Sequence, residues 1–145
     1  MSAFGALKSR RLDAVVLAAL ILAVFANAPG AAFLWDDPLD IVDNPSARAA
    51  SFLDRLPAMN RPVTKLSYAL NDALLGPWAA GYAAVNVALH AIAALLILAL
   101  LRRALRERAD GDVWALAIAA LWAVHPALTE SVTYLSGRSM LLSAA

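Results

Sequence analysis

A chain of 145 residues that is 62% hydrophobic and only 16% charged is too apolar for an ordinary soluble domain, in which about half the residues are apolar. Its formal net charge of +1 gives no reason to expect a nucleic-acid partner, and the absence of cysteine excludes disulfides and thiolate metal sites. The class this leaves is an all-α integral membrane protein, because a chain that crosses lipid must satisfy its own backbone hydrogen bonds.

Lys8, Arg10 and Arg11 precede the first apolar run, 12–28. Its seventeen residues reach roughly 25 Å as a helix, enough for a first span with slight extension. Ala26-Asn27-Ala28 also fits the small-residue site at which a secretory leader is cut, so cleavage is the rival reading. Residues 29–81 form a long outer loop that opens on the stretch 33–45, with Asp36, Asp37, Asp40 and Asp43. Carboxylates beside an apolar segment are costly in lipid and belong at the water face or in a protein-lined cavity. Two that stand close have split pKa values, which suits general-base work or cation binding.

Asn44-Pro45 predicts a turn. After it, Ala50, Leu53 and Leu56 recur at helical spacing and predict an amphipathic surface helix over 46–56. A second starts at Pro62, with Val63, Leu66, Leu70 and Leu74 on one face. Gly76-Pro77 breaks the chain, and 82–101 is the clearest span. Within it Tyr82, Asn86 and His90 share one face, placed either for hydrogen bonds between helices or toward a wet cavity.

The third apolar run, 113–124, is too short to span alone, so the span is expected to continue past a break at His125-Pro126 to residue 135. Leu128, Val132 and Leu135 give that last part an apolar face, Glu130 and Tyr134 point elsewhere, and Gly137 ends it. A fourth segment starts at residue 139. Residues 1–145 thus read as the N-terminal part of a longer transmembrane domain, expected to be inactive alone.

Basic residues orient the chain. Lys8, Arg10, Arg11, Arg102, Arg103, Arg106 and Arg108 fall on one side, and Arg48, Arg55, Arg61, Lys65 and Arg138 are spread over more chain on the other. The positive-inside rule makes the first side cytoplasmic and puts the acidic stretch, Arg61, Lys65 and 125–138 together on the opposite one.

The order of Trp35-Asp36-Asp37, Asn44-Pro45, Arg61-Pro62, Gly81-Tyr82, Val85-Asn86, Leu89-His90 and the closing block AVHPALTESVTYLSGRSMLL resembles the membrane part of the transmembrane and tetratricopeptide-repeat O-mannosyltransferases and their bacterial relatives, within the GT-C superfamily. The resemblance runs from about Phe33 to the end and implies a GT-C-type helical bundle whose first outer loop carries surface helices. It further implies transfer of a sugar from a polyprenyl-phosphate donor to a hydroxyl acceptor, protein Ser or Thr among the candidates. The setting it implies is a bacterial inner membrane with a periplasmic or extracellular active face. Carried onto this chain, Asp36 is the candidate base with Asp37 beside it, and Arg61 and Arg138 are candidate partners of the donor phosphate. Lys65, His90, His125 and Glu130 complete the candidate binding set. The chain departs from the family pattern at Leu128, Met140 and Asn60, where a histidine, an acid and an aromatic are common.

The chemistry is consistent residue by residue. A lipid phosphate leaves readily once its charge is neutralised, which is work for Arg61, Lys65 or Arg138. The acceptor hydroxyl must lose a proton, which is work for Asp36. A bridging Mg²⁺ or Mn²⁺ is compatible with paired carboxylates, although several members of the superfamily need no metal. A second class of function is a non-catalytic membrane scaffold or assembly module that binds another helix through Asn86 and His90. A transporter half is a third, but no span shows the mid-membrane Gly/Pro interruption such a site needs.

Overall fold

The computed structural model describes residues 3–144, which form helices and short helical turns with no strand among them. Seven helices follow in order: α1 (Ala3–Val24), α2 (Phe52–Arg55), α3 (Pro62–Leu75), α4 (Ala79–Ala104), α5 (Gly111–Ala123), α6 (Thr129–Thr133) and α7 (Arg138–Ala144). Two segments, Arg10–Gly30 and Ala79–Ala104, are long and apolar enough to cross a membrane. The pair Gly111–Ala123 and Pro126–Thr133, bent by 52°, makes a third if it counts as one span.

The exposed faces of these helices are as apolar as the buried ones. The stripe of Leu17 and Ile21 on α1, continued by Phe25 just past its end, is buried, while Leu12, Val15, Leu22 and Val24 stand outside. On α4 and α5 the exposed residues include Ile92, Leu96, Leu100, Val113 and Leu121. A helix apolar all round that buries only one stripe suits lipid rather than water on its other sides. The chain is an all-α membrane protein.

Helix α4 is the hub, in contact with α1, α3, α5, α6 and α7. Small residues let α5 approach it closely: Ala115, Ala119 and Ala123 are fully buried. The tightest point is where α5 begins. A Cβ built on Gly111 would stand 2.2 Å from the backbone oxygen of Leu105, in the turn that follows α4. Gly111→Ala is expected to destabilise the protein by about 1–3 kcal/mol, as overpacking against backbone does. Thermal unfolding in detergent checks this, with an unchanged melting temperature as the contrary result.

Pro126 sets the break after α5. His125 takes an extended backbone, φ −65° and ψ 129°, and the chain resumes as a short turn and α6.

The outer loop is more irregular than its periodicity suggests. Over 46–56 the expected amphipathic helix is replaced by short turns and a single helical turn, α2. The buried anchors there are Ala47 and Phe52, whereas Leu53 and Leu56 are exposed. One reason is that Arg48 is drawn inward, donating to the Val42 carbonyl at 2.6 Å and pairing with Asp72 at 2.7 Å.

Helix α3 does form from Pro62, and its two faces are informative. Thr64, Lys65, Tyr68, Ala69 and Asn71 are buried against the protein, and Val63, Leu66, Leu70 and Leu74 face out. A helix that turns polar groups inward and leucines outward fits a membrane surface better than water.

Candidate functional site

The acidic stretch is held by the chain that lies about 100 residues further on. Asp37 is buried, and both its carboxylate oxygens are occupied: Oδ2 accepts from the Leu34 amide at 3.0 Å, and Oδ1 from the Ser136 amide at 2.8 Å. Next to it, the Asp36 amide donates to the Tyr134 hydroxyl at 3.1 Å. These bonds fix the backbone and leave the Asp36 side chain exposed.

Asp36 lines a groove of about 530 Å³ together with Trp35, Asp37, Glu130, Thr133 and Tyr134. Glu130 reaches it because α6 presents it on the face opposite buried Val132.

A second groove, of about 380 Å³, is lined by Asp40, Asn60, Arg61, Thr64, Lys65 and Ser136 among others. Lys65 is buried to its tip, where Nζ donates to the Asp40 carbonyl at 2.8 Å and lies 3.4 Å from its carboxylate. Arg61 is exposed and makes no ion pair among the described residues. The Asp37–Ser136 bond joins a residue of the acidic groove to one of the basic groove, so the two share a wall.

Trp35 and Arg61, one in each groove, are the two non-glycine residues with positive φ among those described, at 53° and 55°. Left-handed backbone costs an L-residue about 1–2 kcal/mol, and such strain gathers where surroundings over-determine it for function. For Arg61 the following Pro62 disfavours the right-handed alternative.

Arg138 is not in either groove. It is completely buried, and every nitrogen has a partner: Nε donates to Asn86 Oδ1 at 2.8 Å, Nη1 to the Ser67 carbonyl at 3.1 Å, and Nη2 to Asn71 Oδ1 and the Tyr82 carbonyl, each at 3.0 Å. Its guanidinium lies over the Tyr68 ring, 4.7 Å from the centroid, and beside Tyr82 at 5.3 Å. Burial pulls its pKa down to about 10, which still leaves it cationic at neutral pH. Burial likewise raises the pKa of the Tyr68 hydroxyl, which donates to the Leu135 carbonyl at 3.3 Å. Arg138, expected to meet the donor phosphate, here has its nitrogens bonded within the chain, where they lock α3, α4 and α7 together.

The two histidines are also elsewhere. His90 is buried between Phe25 and Trp122, with ring centroids 5.3 and 5.2 Å away. Its Nε2 lies 2.8 Å from the Ala123 carbonyl at the end of α5 and must be the protonated nitrogen there, since a carbonyl only accepts. His125 is exposed, and its Nδ1 accepts from the Ala127 amide, capping the turn that starts at Pro126. With Asn86 and His90 both fully buried, the polar face that a scaffold would offer to a partner helix is already used within the chain.

Among the described residues no group of three or more His, Asp or Glu comes together, and both Asp37 oxygens are already occupied by amides. No step is routed through a metal.

Tyr134 and Ser136, which hold the two aspartates, were not legible as site residues. The helical spacing read through to residue 135 hides them, because the backbone is extended at Tyr134, φ −80° and ψ 117°, and then enters the short turn Leu135–Gly137.

Comparison with known proteins points to one group. The chain is 35% identical over 140 residues to protein O-mannosyl-transferase Tmtc1 of Drosophila melanogaster, covering 86% of this chain and 16% of that protein. It is 27% identical to protein O-mannosyl-transferase TMTC3 of Mus musculus, covering 90% and 15%, and 29% identical to a protein O-mannosyl-transferase of Caenorhabditis elegans, covering 88% and 21%. The chain therefore spans about a fifth or less of these relatives' length. No family model and no solved structure matches it. The resemblance drawn from the motifs is borne out.

Proposed function

From this kinship with the protein O-mannosyl-transferases, we propose that the chain is the acid-bearing part of a GT-C-type glycosyltransferase. In this reading the whole protein moves a sugar from a polyprenyl-phosphate donor to a hydroxyl acceptor on the non-cytoplasmic side. The observation that carries it is the exposed Asp36 carboxylate in a groove that shares a wall with the Arg61/Lys65 groove.

The acceptor oxygen attacks the anomeric carbon as its proton passes to Asp36, and the bond from that carbon to the phosphate oxygen breaks. The departing lipid phosphate carries the negative charge, which Arg61 can meet directly. Lys65, tied to Asp40, contributes a fixed positive field behind it. Glu130 faces the same groove as Asp36 and is placed to orient the acceptor by accepting a hydrogen bond.

Arg61→Gln tests the phosphate side. Losing a charge-assisted contact worth about 1.5–3 kcal/mol should lower kcat/KM for a polyprenyl-phosphate sugar about 10- to 100-fold. The melting temperature should hold, because the side chain is exposed and unpaired among the described residues. Donor kinetics unchanged in Arg61→Gln would remove it from the site.

The sidedness has its own test. Residues 1–145 hold no cysteine, so single cysteines at Ala50 and Ala109, both exposed, can be read without background from this chain. In intact cells an impermeant thiol reagent should label position 50 and spare 109. The structure makes the two ends distinct: Arg102 of α4 bonds to Asp13 and to the Arg10 carbonyl of α1, so both basic clusters share one end. Labelling of 109 alone would reverse the orientation.

A further inference from the structure

About 24 Å along α4 from Asn86, the distance sixteen helical residues cover, a groove of about 580 Å³ opens between α1 and α4. Arg10, Arg102, Arg103 and Arg106 line one part of it. Ala14, Leu95, Leu98 and Ala99 line the rest, and Leu95 lies about 10 Å deeper along the helix than Arg102. The groove is thus basic where the span ends and apolar where the span is deepest.

The arginines fall into two kinds. Arg102 is held by Asp13, with Asp112 3.4 Å away, and Arg10 lies 3.6 Å from Asp112. Neither aspartate lines the groove. Arg103 makes no ion pair among the described residues, and Arg106 meets only its neighbour Glu107, at 3.7 Å on an exposed surface. The first pair braces α1 on α4 and α5; the second pair is left with planar, forked donors whose geometry matches a phosphate.

We infer that this groove seats an anionic phospholipid, with its phosphodiester against Arg103 and Arg106 and the start of an acyl chain along Leu95, Leu98 and Ala99. A soluble anion would use the arginines but gain nothing from the apolar lining. A zwitterionic lipid would use the lining but carries no net charge for the arginines. Only an anionic lipid uses both, and basic pockets between spans at the edge of a bilayer are suited to such headgroups.

The test uses the purified protein in detergent, offered phosphatidylglycerol, phosphatidylcholine or inorganic phosphate. Phosphatidylglycerol should be retained in native mass spectra and raise the melting temperature by several degrees; the other two should do neither. The double variant R103Q/R106Q should lower phosphatidylglycerol retention about tenfold or more, while melting as the parent does without lipid. Ala99→Phe, which fills the apolar part and leaves every charge in place, should lower retention as well. If the double variant melts lower without lipid, Ala99→Phe decides alone. Equal stabilisation by phosphatidylcholine or by inorganic phosphate, or undiminished retention in Ala99→Phe, overturns the site.

Discussion

In the full-length protein, Asp36→Asn is expected to lower sugar transfer about 10²- to 10⁴-fold, the usual cost of removing a general base. Folding should be untouched, because the carboxylate is exposed and accepts no hydrogen bond among the described residues. What is held at this position is the backbone amide, bonded to Tyr134, and asparagine keeps that bond. Asp37→Asn gives the opposite pattern. Its carboxylate accepts two amides, and a carboxamide must turn an NH₂ group toward one of them. That variant should lose about 1–3 kcal/mol of stability, the cost of a stranded buried donor. Transfer per folded molecule, measured beside thermal unfolding for both variants, separates the two roles. Near-normal turnover in Asp36→Asn would pass the base to Glu130, the remaining acid of the groove with an exposed side chain.

Arg138 gives the largest expected loss of stability. Arg138→Ala should destabilise the protein by about 3–5 kcal/mol, since it strands the polar groups arranged around a buried cation. Asn86 Oδ1 and Asn71 Oδ1 would lose their donor, and so would the carbonyls of Ser67 and Tyr82. Lysine is no substitute: one ammonium group cannot reach acceptors that the guanidinium meets through three separate nitrogens. Arg138→Lys should therefore also unfold at lower temperature, and should do so with no donor present. Melting temperatures in detergent without any sugar lipid are the measurement. If Arg138→Ala melts like the parent and loses only donor affinity, the arginine is a phosphate ligand after all.

The spans and α3 were legible because their signals are local. A long apolar run with basic ends, or a proline followed by leucines every three to four residues, needs no partner to be read. The region 46–56 misled for the same reason. Its leucine spacing is helical, but Arg48 reaches both Val42 and Asp72 and folds the segment into turns. Arg138 was illegible in another way. An arginine after glycine at the head of an apolar segment looks like an interfacial anchor, and nothing near it in sequence shows that Ser67, Asn71 and Asn86 will surround it. His90 was only half legible: its face on α4 was readable, but its partner is a carbonyl near the break that Pro126 imposes. At the acidic groove, Asp36 and Glu130 could be named from the chain, whereas the tether through Tyr134 and Ser136 depends on closure over nearly a hundred residues.

That closure sets a schedule for biogenesis. Ribosomes add about 5–20 residues per second, so the acidic stretch waits about 5–20 s for Tyr134 and Ser136 to be made. Of the two amides that Asp37 accepts from in the folded chain, only that of Leu34 has been made throughout that interval. A nascent chain stalled before residue 134 would carry its first three apolar runs but neither Tyr134 nor Ser136 to hold the acidic stretch. The wall of the acidic groove is thus completed only after the three apolar runs that precede it have been made.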